Sequence, residues 1–302
     1  VALRQSVVWV HDANGERQVS LEGYSYDPKF SPDGKRLCYR ILKGGLTTYD
    51  PGELRVVELD TGHNEPLLPG LTISGPPGRA YEISPDGRQL VAAVKDRQGK
   101  ARLWLAALDR QSPPRQIPNV EGDAPLFGKG GEIIFRTIEG ASAYFYAVRE
   151  DGTGLRRLSE QAIVLPAGIS QDGQWVIARV LLEGVEAVMA LPVSRGLPVQ
   201  NIFVHGTSYH MAWSPEGRLI FISAPSGATA SRVTGKTYIV PLPPGQMFPT
   251  MPAGGFQSAA DLAKLPGVRI IDAFDAAPGP TPDVYAFSRA TVQRNLYRIP
   301  IP

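Results

Sequence analysis

The sequence predicts an all-β fold, a six-bladed β-propeller, and three observations carry this prediction. A hairpin phrase recurs along the chain at nearly constant intervals, a further apolar strand follows each copy, and each end of the chain carries part of one unit. The 32 Gly and 28 Pro among 302 residues supply many turns between short ordered segments. A closed ring of four-stranded antiparallel blades explains all three observations.

The recurring phrase is Ser-Pro-Asp-Gly or a close variant with apolar residues on both sides. Proline presets φ at the second position of a type I turn, Asp tolerates the bridge region, and Gly supplies the left-handed residue that follows. Each copy is therefore a predicted β-hairpin. The corresponding turn positions lie 53, 44, 42 and 44 residues apart, at Asp33, Asp86, the degenerate Gly130, Asp172 and Glu216.

A third apolar strand follows every hairpin, as at 54–59 and 103–108, and a polar turn then leads to a short fourth segment such as 155–158. One blade cannot bury both of its faces, so neighbouring blades must stack around an axis until the ring closes. We therefore expect one domain over residues 1–302, in which residues 1–22 supply strands that complete the last blade. The six blades are predicted at 23–70, 71–118, 119–160, 161–200, 201–245 and 266–302. Seven blades are the nearest alternative.

The sixth unit and the segment before it depart most from the repeat. The sixth unit is expected to contain an innermost strand, a turn, a second strand and a third strand at 269–274, 278–280, 284–287 and 295–299. Residues 246–265 form an insertion with a predicted short helix, for which Ser258 is a suitable N-cap and Gly267 a suitable terminator. We expect this long connection on the functional face of the ring. It could cap the channel, bind a partner or pack onto blades five and six. Packing onto the blades is the favoured alternative.

The Ser-Pro-Asp-Gly hairpin, followed by an apolar strand and repeated every 42 to 53 residues, resembles the PD40 or WD40-like repeat of the TolB propeller family. This resemblance spans residues 1–302 and implies a bacterial, often exported protein that serves as an interaction platform. Residues 282–300 also resemble the tail of propellers that follow a Ser/Thr kinase or a winged-helix regulator in multidomain bacterial proteins. The second resemblance implies a sensor domain, and a start at Val1 rather than Met suggests a processed or excised segment.

Composition excludes several classes of partner and site. A net charge of +2 without a run of basic residues predicts no contact with nucleic acid. The single cysteine, Cys38, excludes a disulfide framework and a cysteine-based zinc site, and its apolar surroundings predict a buried spectator. No stretch approaches the roughly 18 consecutive apolar residues of a transmembrane helix. We expect a monomer in the periplasm or outside the cell, or, alternatively, in the cytoplasm as part of a larger protein.

The sequence contains no motif of nucleophilic, metal-dependent or dinucleotide-dependent catalysis. Residues 230–237 satisfy a loose phosphate-loop pattern, but they run directly into a predicted strand where a helix would be required. Asp27, Asp123 and Asp272 offer oxygens for a hard cation, yet no contiguous ligand loop supports such a site. We therefore predict no catalytic residues, no metal and no cofactor.

Polar and aromatic residues gather where the innermost strands begin. In a propeller these strand starts share one face with the loops between second and third strands, where ligands meet the channel. His210 directly precedes the innermost strand of blade five and is the most prominent of them. The candidate binding residues are Tyr26, Asp27, Arg79, Tyr81, Asp123, Tyr209, His210 and Asp272.

This surface predicts a non-catalytic module that binds a protein or a peptide, as an interaction scaffold or sensor. Three alternatives remain. In the first, the surface is only a water-filled channel mouth. In the second, the chain is a propeller enzyme of the lyase, lactonase or dehydrogenase type. In the third, it is the sensory propeller of a kinase or transcriptional regulator.

Overall fold

The computed structural model describes residues 2–43, 49–194, 196–205, 209–229 and 232–294. Its strands form six four-stranded antiparallel sheets arranged as the blades of a propeller, and helix is almost absent. The predicted all-β fold, the blade count of six and the four-stranded blades are therefore confirmed. The structure describes no helix that is long and apolar enough to cross a membrane.

The strands follow one another from the inside of each blade to its outside. Blade six takes β1 (Ala2–Asp12) and β2 (Gly15–Gln18) from the beginning of the chain. Blade one is β3 (Ser25–Phe30), β4 (Arg36–Leu42), β5 (Gly52–Glu58) and β6 (Asn64–Pro66), and blade two is β7 (Tyr81–Ile83), β8 (Gln89–Lys95), β9 (Ala101–Ala107) and β10 (Arg115–Gln116). Blade three is β11 (Asp123–Phe127), β12 (Ile133–Glu139), β13 (Ser142–Val148) and β14 (Arg156–Arg157).

The second half of the ring repeats this order. Blade four is β15 (Leu165–Ile169), β16 (Trp175–Leu182), β17 (Val185–Pro192) and β18 (Gln200–Phe203). Blade five is β19 (His210–Trp213), β20 (Leu219–Thr229), β21 (Arg232–Pro241) and β22 (Arg269–Ile271), and blade six begins with β23 (Ala277–Pro278) and β24 (Tyr285–Arg294). Innermost strands begin on one face of the ring, called here the mouth face, and end at the hairpin turns on the opposite face.

The N-terminal segment closes the ring, as the sequence predicts. β1 pairs with β24 in antiparallel register from Ala2 opposite Arg294 to His11 opposite Tyr285, so blade six has the order β23-β24-β1-β2. β1 therefore occupies the position of a third strand. The third strand expected at 295–299 lies outside the described residues.

One strand belongs to a different blade from the one expected. Ile271 pairs with Thr237 of β21, which makes β22 the fourth strand of blade five rather than the innermost strand of blade six. The innermost strand of blade six is the two-residue β23 instead. The error has a physical origin, because the long insertion separates β22 from its own blade and gives it the appearance of a new unit.

The insertion packs between blades four and five, not onto blades five and six. Its helix, α1 (Ala259–Leu262), is capped by Ser258 as expected, with the Ser258 hydroxyl accepting from the Ala260 amide at 3.2 Å. The Phe256 amide donates to the Ile202 carbonyl oxygen at 2.9 Å, which fastens the segment to the edge of blade four. Since β21 runs away from the mouth face, the insertion begins on the opposite face and does not cap the channel mouth.

The repeated hairpin turn is held by its serine. The Ser84 hydroxyl donates to Asp86 Oδ1 at 2.6 Å and accepts from the Gln89 amide at 2.9 Å, while Gly87 adopts a φ of +69°. This hydrogen bond from Ser84 is the main reason that the pKa of Asp86 lies below its usual value. The copies at Ser31 and Ser170 make the same bonds, so the phrase is a structural turn.

Apolar side chains fill five of the six junctions between blades. Clusters of buried residues join blades six and one, one and two, two and three, three and four, and four and five, the last including the insertion. Cys38 is a fully buried member of the cluster between blades one and two, as predicted. Within the described part of the chain, no such cluster joins blades five and six.

Candidate ligand-binding site at the channel mouth

The innermost strands of the blades enclose a central cavity of about 440 Å³. The wall of this cavity runs from the strand starts to the hairpin turns of the opposite face, where Ser31, Ser84 and Ser170 line it. Between these levels it brings together ionisable side chains from blades one, two and five and from the loop before blade six. We call this set the mouth cluster; its members are Asp27, Lys29, Arg79, Glu82, His210 and Asp275. Asp27, Arg79 and His210 are site residues predicted from the sequence, and the structure places all three on the cavity wall.

Asp27 is fixed by a buried ion pair. A β-bulge between Tyr26 and Lys29 interrupts the pairing of β3 with β4, and within it Asp27 has a φ of +54°. Asp27 Oδ2 lies 2.8 Å from Nη2 of Arg40, whose side chain is fully buried. The bulge therefore directs one carboxylate into the blade and leaves the next ionisable side chain, Lys29, on the cavity wall.

Lys29 forms the second pair of the cluster. Its ammonium group lies 2.6 Å from Glu82 Oε2 of blade two, and both side chains remain partly exposed to the cavity. Tyr81 lies beneath them and donates from its hydroxyl to the Cys38 carbonyl oxygen at 3.0 Å and to the Asp27 carbonyl oxygen. Burial raises the pKa of Tyr81 well above its ordinary value, so this phenol stays protonated and ties blade two to blade one.

Arg79 bridges the ring from blade two towards blades four and five. Its guanidinium donates to the Met211 carbonyl oxygen at 3.4 Å, to the Ala167 carbonyl oxygen and to the Gly78 carbonyl oxygen at 2.9 Å. Only 6% of Arg79 is exposed, and its Nε has no hydrogen-bond partner among the described residues. A cationic group thus stands at the centre of the channel.

His210 and Asp275 form the third pair, with Nδ1 and Oδ1 2.9 Å apart. Gly78 has a φ of +69°, and a Cβ there would lie 2.7 Å from Asp275 Oδ2, so only glycine fits against the pair. Burial acts to raise the pKa of the Asp275 carboxyl. The charge of His210, its hydrogen bond and the charges of Arg79 and Lys29 outweigh burial and lower this pKa to about 2.

The remaining predicted residues lie elsewhere. Tyr26 and Asp272 line a second cavity of about 630 Å³, a groove walled mainly by blades five and six and also by Tyr26, Asp27 and Pro28 of blade one; it shares Asp27 and Asp275 with the channel. Tyr209 is buried and stacks on Phe203 at 3.9 Å between ring centroids, beside the insertion.

Asp123 accepts two hydrogen bonds from the Arg136 guanidinium, at 2.6 and 2.7 Å, and lines neither cavity. The predicted set therefore divides among the channel, the groove, the blade core and one ion pair.

Three members of the mouth cluster are absent from the sequence-based set. Lys29 and Glu82 lie within innermost strands rather than at their starts, where the predicted residues stand. The bulge that directs Lys29 inward has no recognisable sequence motif. Asp275 stands two residues before β23. An acidic residue just before a blade's innermost strand would have indicated Asp275. Because β22 was predicted to be the innermost strand of blade six, however, the expected start of that blade was Arg269 instead of Ala277.

Each carboxylate of the mouth cluster already has a partner: Arg40 for Asp27, Lys29 for Glu82 and His210 for Asp275. A ligand therefore gains little from simple charge attraction and must replace or share existing contacts. Among the residues that the structure describes, no three His, Cys, Asp or Glu side chains are grouped as metal ligands. A volume of about 440 Å³ lies within the range of small-ligand pockets and admits a few side chains of a peptide.

Comparisons with known proteins identify the fold. No family profile and no curated protein matches the sequence. A structure titled putative TolB from Agrobacterium tumefaciens aligns with a TM-score of 0.64 and 18% identity, over 96% of this chain and 99% of that one. TolB from Acinetobacter baumannii aligns with a TM-score of 0.57 and 17% identity, over 78% of this chain and 61% of that one.

An enzyme also shares the fold. Oligogalacturonate lyase from Vibrio parahaemolyticus aligns with a TM-score of 0.51 and 12% identity, over 77% of this chain and 68% of that one. Identities this low demonstrate a common architecture, and a fold of this kind hosts both binding proteins and enzymes. The TolB-like architecture predicted from the repeat is confirmed: the chain has the six-bladed β-propeller fold of the TolB proteins.

Proposed function

We propose that this chain is a non-catalytic module that binds a peptide segment of a protein partner at the channel mouth. The observation that carries the proposal is the mouth cluster, which brings ionisable side chains of both signs together on the wall of one cavity. A peptide presents charged side chains, amide donors and carbonyl acceptors along one chain. It can therefore satisfy such a mixed surface without any single strong charge.

The buried position of Arg79 favours a ligand that inserts a side chain or a chain end into the channel. Arg79 stands at the centre of the channel with an unpartnered Nε among the described atoms, and the apolar side chains of Met211 and Ile169 line the wall nearby. A side chain or terminal carboxylate that enters from the mouth face could accept from Arg79 while its apolar part contacts that wall. The cavity therefore suits an inserted segment better than a flat protein surface.

We also propose that the protein acts outside the cytoplasm, as a monomeric interaction scaffold or sensor. The support is the fold shared with TolB proteins and the resemblance of the repeats to an often exported family. The gene region before Val1 tests this directly. A secretory leader there supports an exported protein, whereas a kinase or winged-helix coding region makes the chain the sensor of a cytoplasmic or membrane-bound regulator.

Peptide selection tests the proposed function. A random dodecapeptide library is selected against the immobilised protein, and the recovered peptides are measured by fluorescence anisotropy. The test variant carries Lys29→Gln with Glu82→Gln, which neutralises both partners of one mouth pair. The matched control carries Arg156→Gln with Glu132→Gln, a paired arginine and glutamate on the outside of blade three.

The proposal predicts that selected peptides bind the control as tightly as the wild type and bind the mouth variant at least about tenfold more weakly, as for one lost charge-assisted hydrogen bond. Mass spectrometry should recover the peptides intact. Equal loss of binding in both variants, failure to select any peptide, or cleavage of the peptides would each contradict the proposal.

A further inference from the structure

The junction between blades five and six contains a groove where the other junctions contain an apolar cluster. The groove has a volume of about 630 Å³ and opens beside the channel mouth, with which it shares Asp27, Pro28 and Asp275. Ile270 of β22 lies on its blade-five side and is 48% exposed. Ile270 therefore offers an apolar contact to a ligand that enters the groove.

The groove exposes one edge of a strand. β23 spans two residues and pairs only with Tyr285 and Ala286, so no described strand pairs with the inner edge of β24 beyond Ala286. Four consecutive residues of this strand, Phe287, Ser288, Arg289 and Ala290, line the groove. An unpaired edge of this kind presents backbone donors and acceptors to an incoming strand.

The register shows which backbone groups face the groove. Val8 lies opposite Ser288, but its amide donates to Ser20 Oγ and its carbonyl accepts from the Val19 amide, both at 2.8 Å. Ser288 is therefore in a non-hydrogen-bonded pair with β1, and its own amide and carbonyl point towards the inner edge. By the alternation of an antiparallel ladder, the amide and carbonyl of Ala290 point the same way.

A rigid aromatic wall supports this edge. Tyr285 and Phe287 line the groove with ring centroids 5.9 Å apart, and His11 stacks on Tyr285 at 4.6 Å. The Arg289 guanidinium lies 4.6 Å from the Trp9 ring centroid and 5.2 Å from that of Phe287. Apolar side chains that alternate along an extended ligand would pack against this wall.

Charge limits the kind of ligand. The ionisable side chains that line the groove are four acidic residues, Glu16, Asp27, Asp272 and Asp275, and one basic residue, Arg289. Arg40 and His210 pair with Asp27 and Asp275, and Arg289 pairs with Glu16 at 2.6 Å. Asp272 is exposed at the rim, so the groove favours a basic ligand over an acidic one.

We infer that an extended basic peptide adds as a further strand to the inner edge of β24 and occupies the groove between blades five and six. The inference rests on the proposed peptide-binding function and gives that function its binding mode, because the groove continues into the channel mouth. Backbone hydrogen bonds to Ser288 and Ala290 supply affinity. The aromatic wall and the acidic rim select apolar and basic side chains at alternate positions.

The test uses a fluorescein-labelled octapeptide of alternating lysine and valine, with an alternating glutamate and valine octapeptide as the charge control. Binding is measured to the wild type, to Ser288→Pro and to Lys29→Gln with Glu82→Gln. Proline removes the amide that faces the groove but leaves the pairing with β1, since a free strand edge tolerates proline. Thermal unfolding of each variant checks that the ring is intact, and amide hydrogen exchange of the unmodified protein is measured with and without peptide.

Strand addition predicts that the basic peptide binds, that Ser288→Pro weakens this binding at least about tenfold, and that hydrogen exchange at the Ser288 and Ala290 amides slows when peptide is present.

Unchanged exchange at both amides overturns the inference even if the proline variant fails to fold. Binding that only the Lys29 and Glu82 variant weakens also overturns it, while the proposed function stands. Binding that only Ser288→Pro weakens supports strand addition and contradicts the assignment to the mouth cluster. Absence of binding, or equal binding of the acidic peptide, overturns strand addition.

Discussion

The imidazole Nδ1 of His210 lies 2.9 Å from Oδ1 of Asp275, which joins blade five to the segment that leads into blade six. No apolar cluster joins these two blades in the described part of the chain, so polar contacts carry the junction. Thr237 adds to them, since its hydroxyl donates to the Ala273 carbonyl oxygen at 2.8 Å and accepts from the Ala276 amide at 3.2 Å. The junction between blades five and six, with the groove in it, therefore depends on this polar network.

Asp275 should make stability fall at low pH. Its pKa is lowered to about 2 in the folded protein, against 3.8 as its ordinary value. A lowered carboxyl pKa contributes stability above the unfolded value and loses it as pH falls through the folded value. Asp275→Asn should therefore destabilise the protein by on the order of 2 kcal/mol at pH 7, and by much less at pH 2. Urea unfolding at pH 7, 4, 3 and 2 measures the difference, and a difference independent of pH would refute the assignment.

Thr237 should contribute to stability through its hydroxyl. The side chain is fully buried, so Thr237→Val leaves the Ala276 amide and the Ala273 carbonyl without that partner. We expect a loss of about 1–3 kcal/mol in the free energy of unfolding in urea. Thr234→Val on the same strand is the control, because the hydroxyl of this half-buried residue makes only long, solvent-exposed hydrogen bonds, to the Gly227 carbonyl oxygen at 3.3 Å and from the Ser226 hydroxyl at 3.5 Å. It should change stability by less than about 0.5 kcal/mol. Equal effects of the two substitutions would show that the network does not hold the junction.

The buried pair of Asp27 and Arg40 should be sensitive to loss of one charge. Asp27→Asn keeps a side chain that tolerates the φ of +54° but removes the carboxylate charge that lies 2.8 Å from Nη2 of the fully buried Arg40. The expected cost is about 3–5 kcal/mol, and the double variant Asp27→Asn with Arg40→Met should recover much of it. Chemical denaturation measures both. A cost below about 1 kcal/mol, as for an exposed pair, would contradict the buried assignment.

Cys38 should be inert in the folded protein. It is fully buried, and burial raises the pKa of its thiol to about 12, so neither access nor ionisation favours reaction. Ellman's reagent should report no free thiol at pH 8 in buffer and one thiol per chain in denaturant. Rapid reaction without denaturant would place Cys38 at an accessible surface.

The sequence predicts the architecture well because the repeated turn carries its own chemistry. Ser84, Asp86 and Gly87 each have a role in the turn that only a few residue types can fill, and the spacing of such turns then gives the blade count. β22 shows where this reasoning ends. Its three residues resemble any short apolar strand, and only the hydrogen bonds to β21 show to which blade it belongs.

The candidate site is less accessible to sequence reasoning. Asp27, Arg79 and His210 stand at strand starts, and the geometry of a ring brings those starts together. Glu82 and Asp275 are held at the cavity by pairing with Lys29 and His210 on other blades. The spacing of residues along the sequence does not indicate such pairs. Tyr209 was predicted to be a site residue because it stands at a strand start. It lies outside the site, since the insertion packs beside it and buries it.

Photocrosslinking of a selected peptide tests most directly whether the ligand binds on the mouth face. A benzoylphenylalanine replaces Pro77, which lies outside the mouth cluster in the loop that leads into β7 and lines the groove, or replaces Glu132 beside the hairpin turns of the opposite face. Binding on the mouth face predicts that the peptide crosslinks to position 77 and not to position 132. Crosslinking at position 132 alone, with none at position 77, would contradict it.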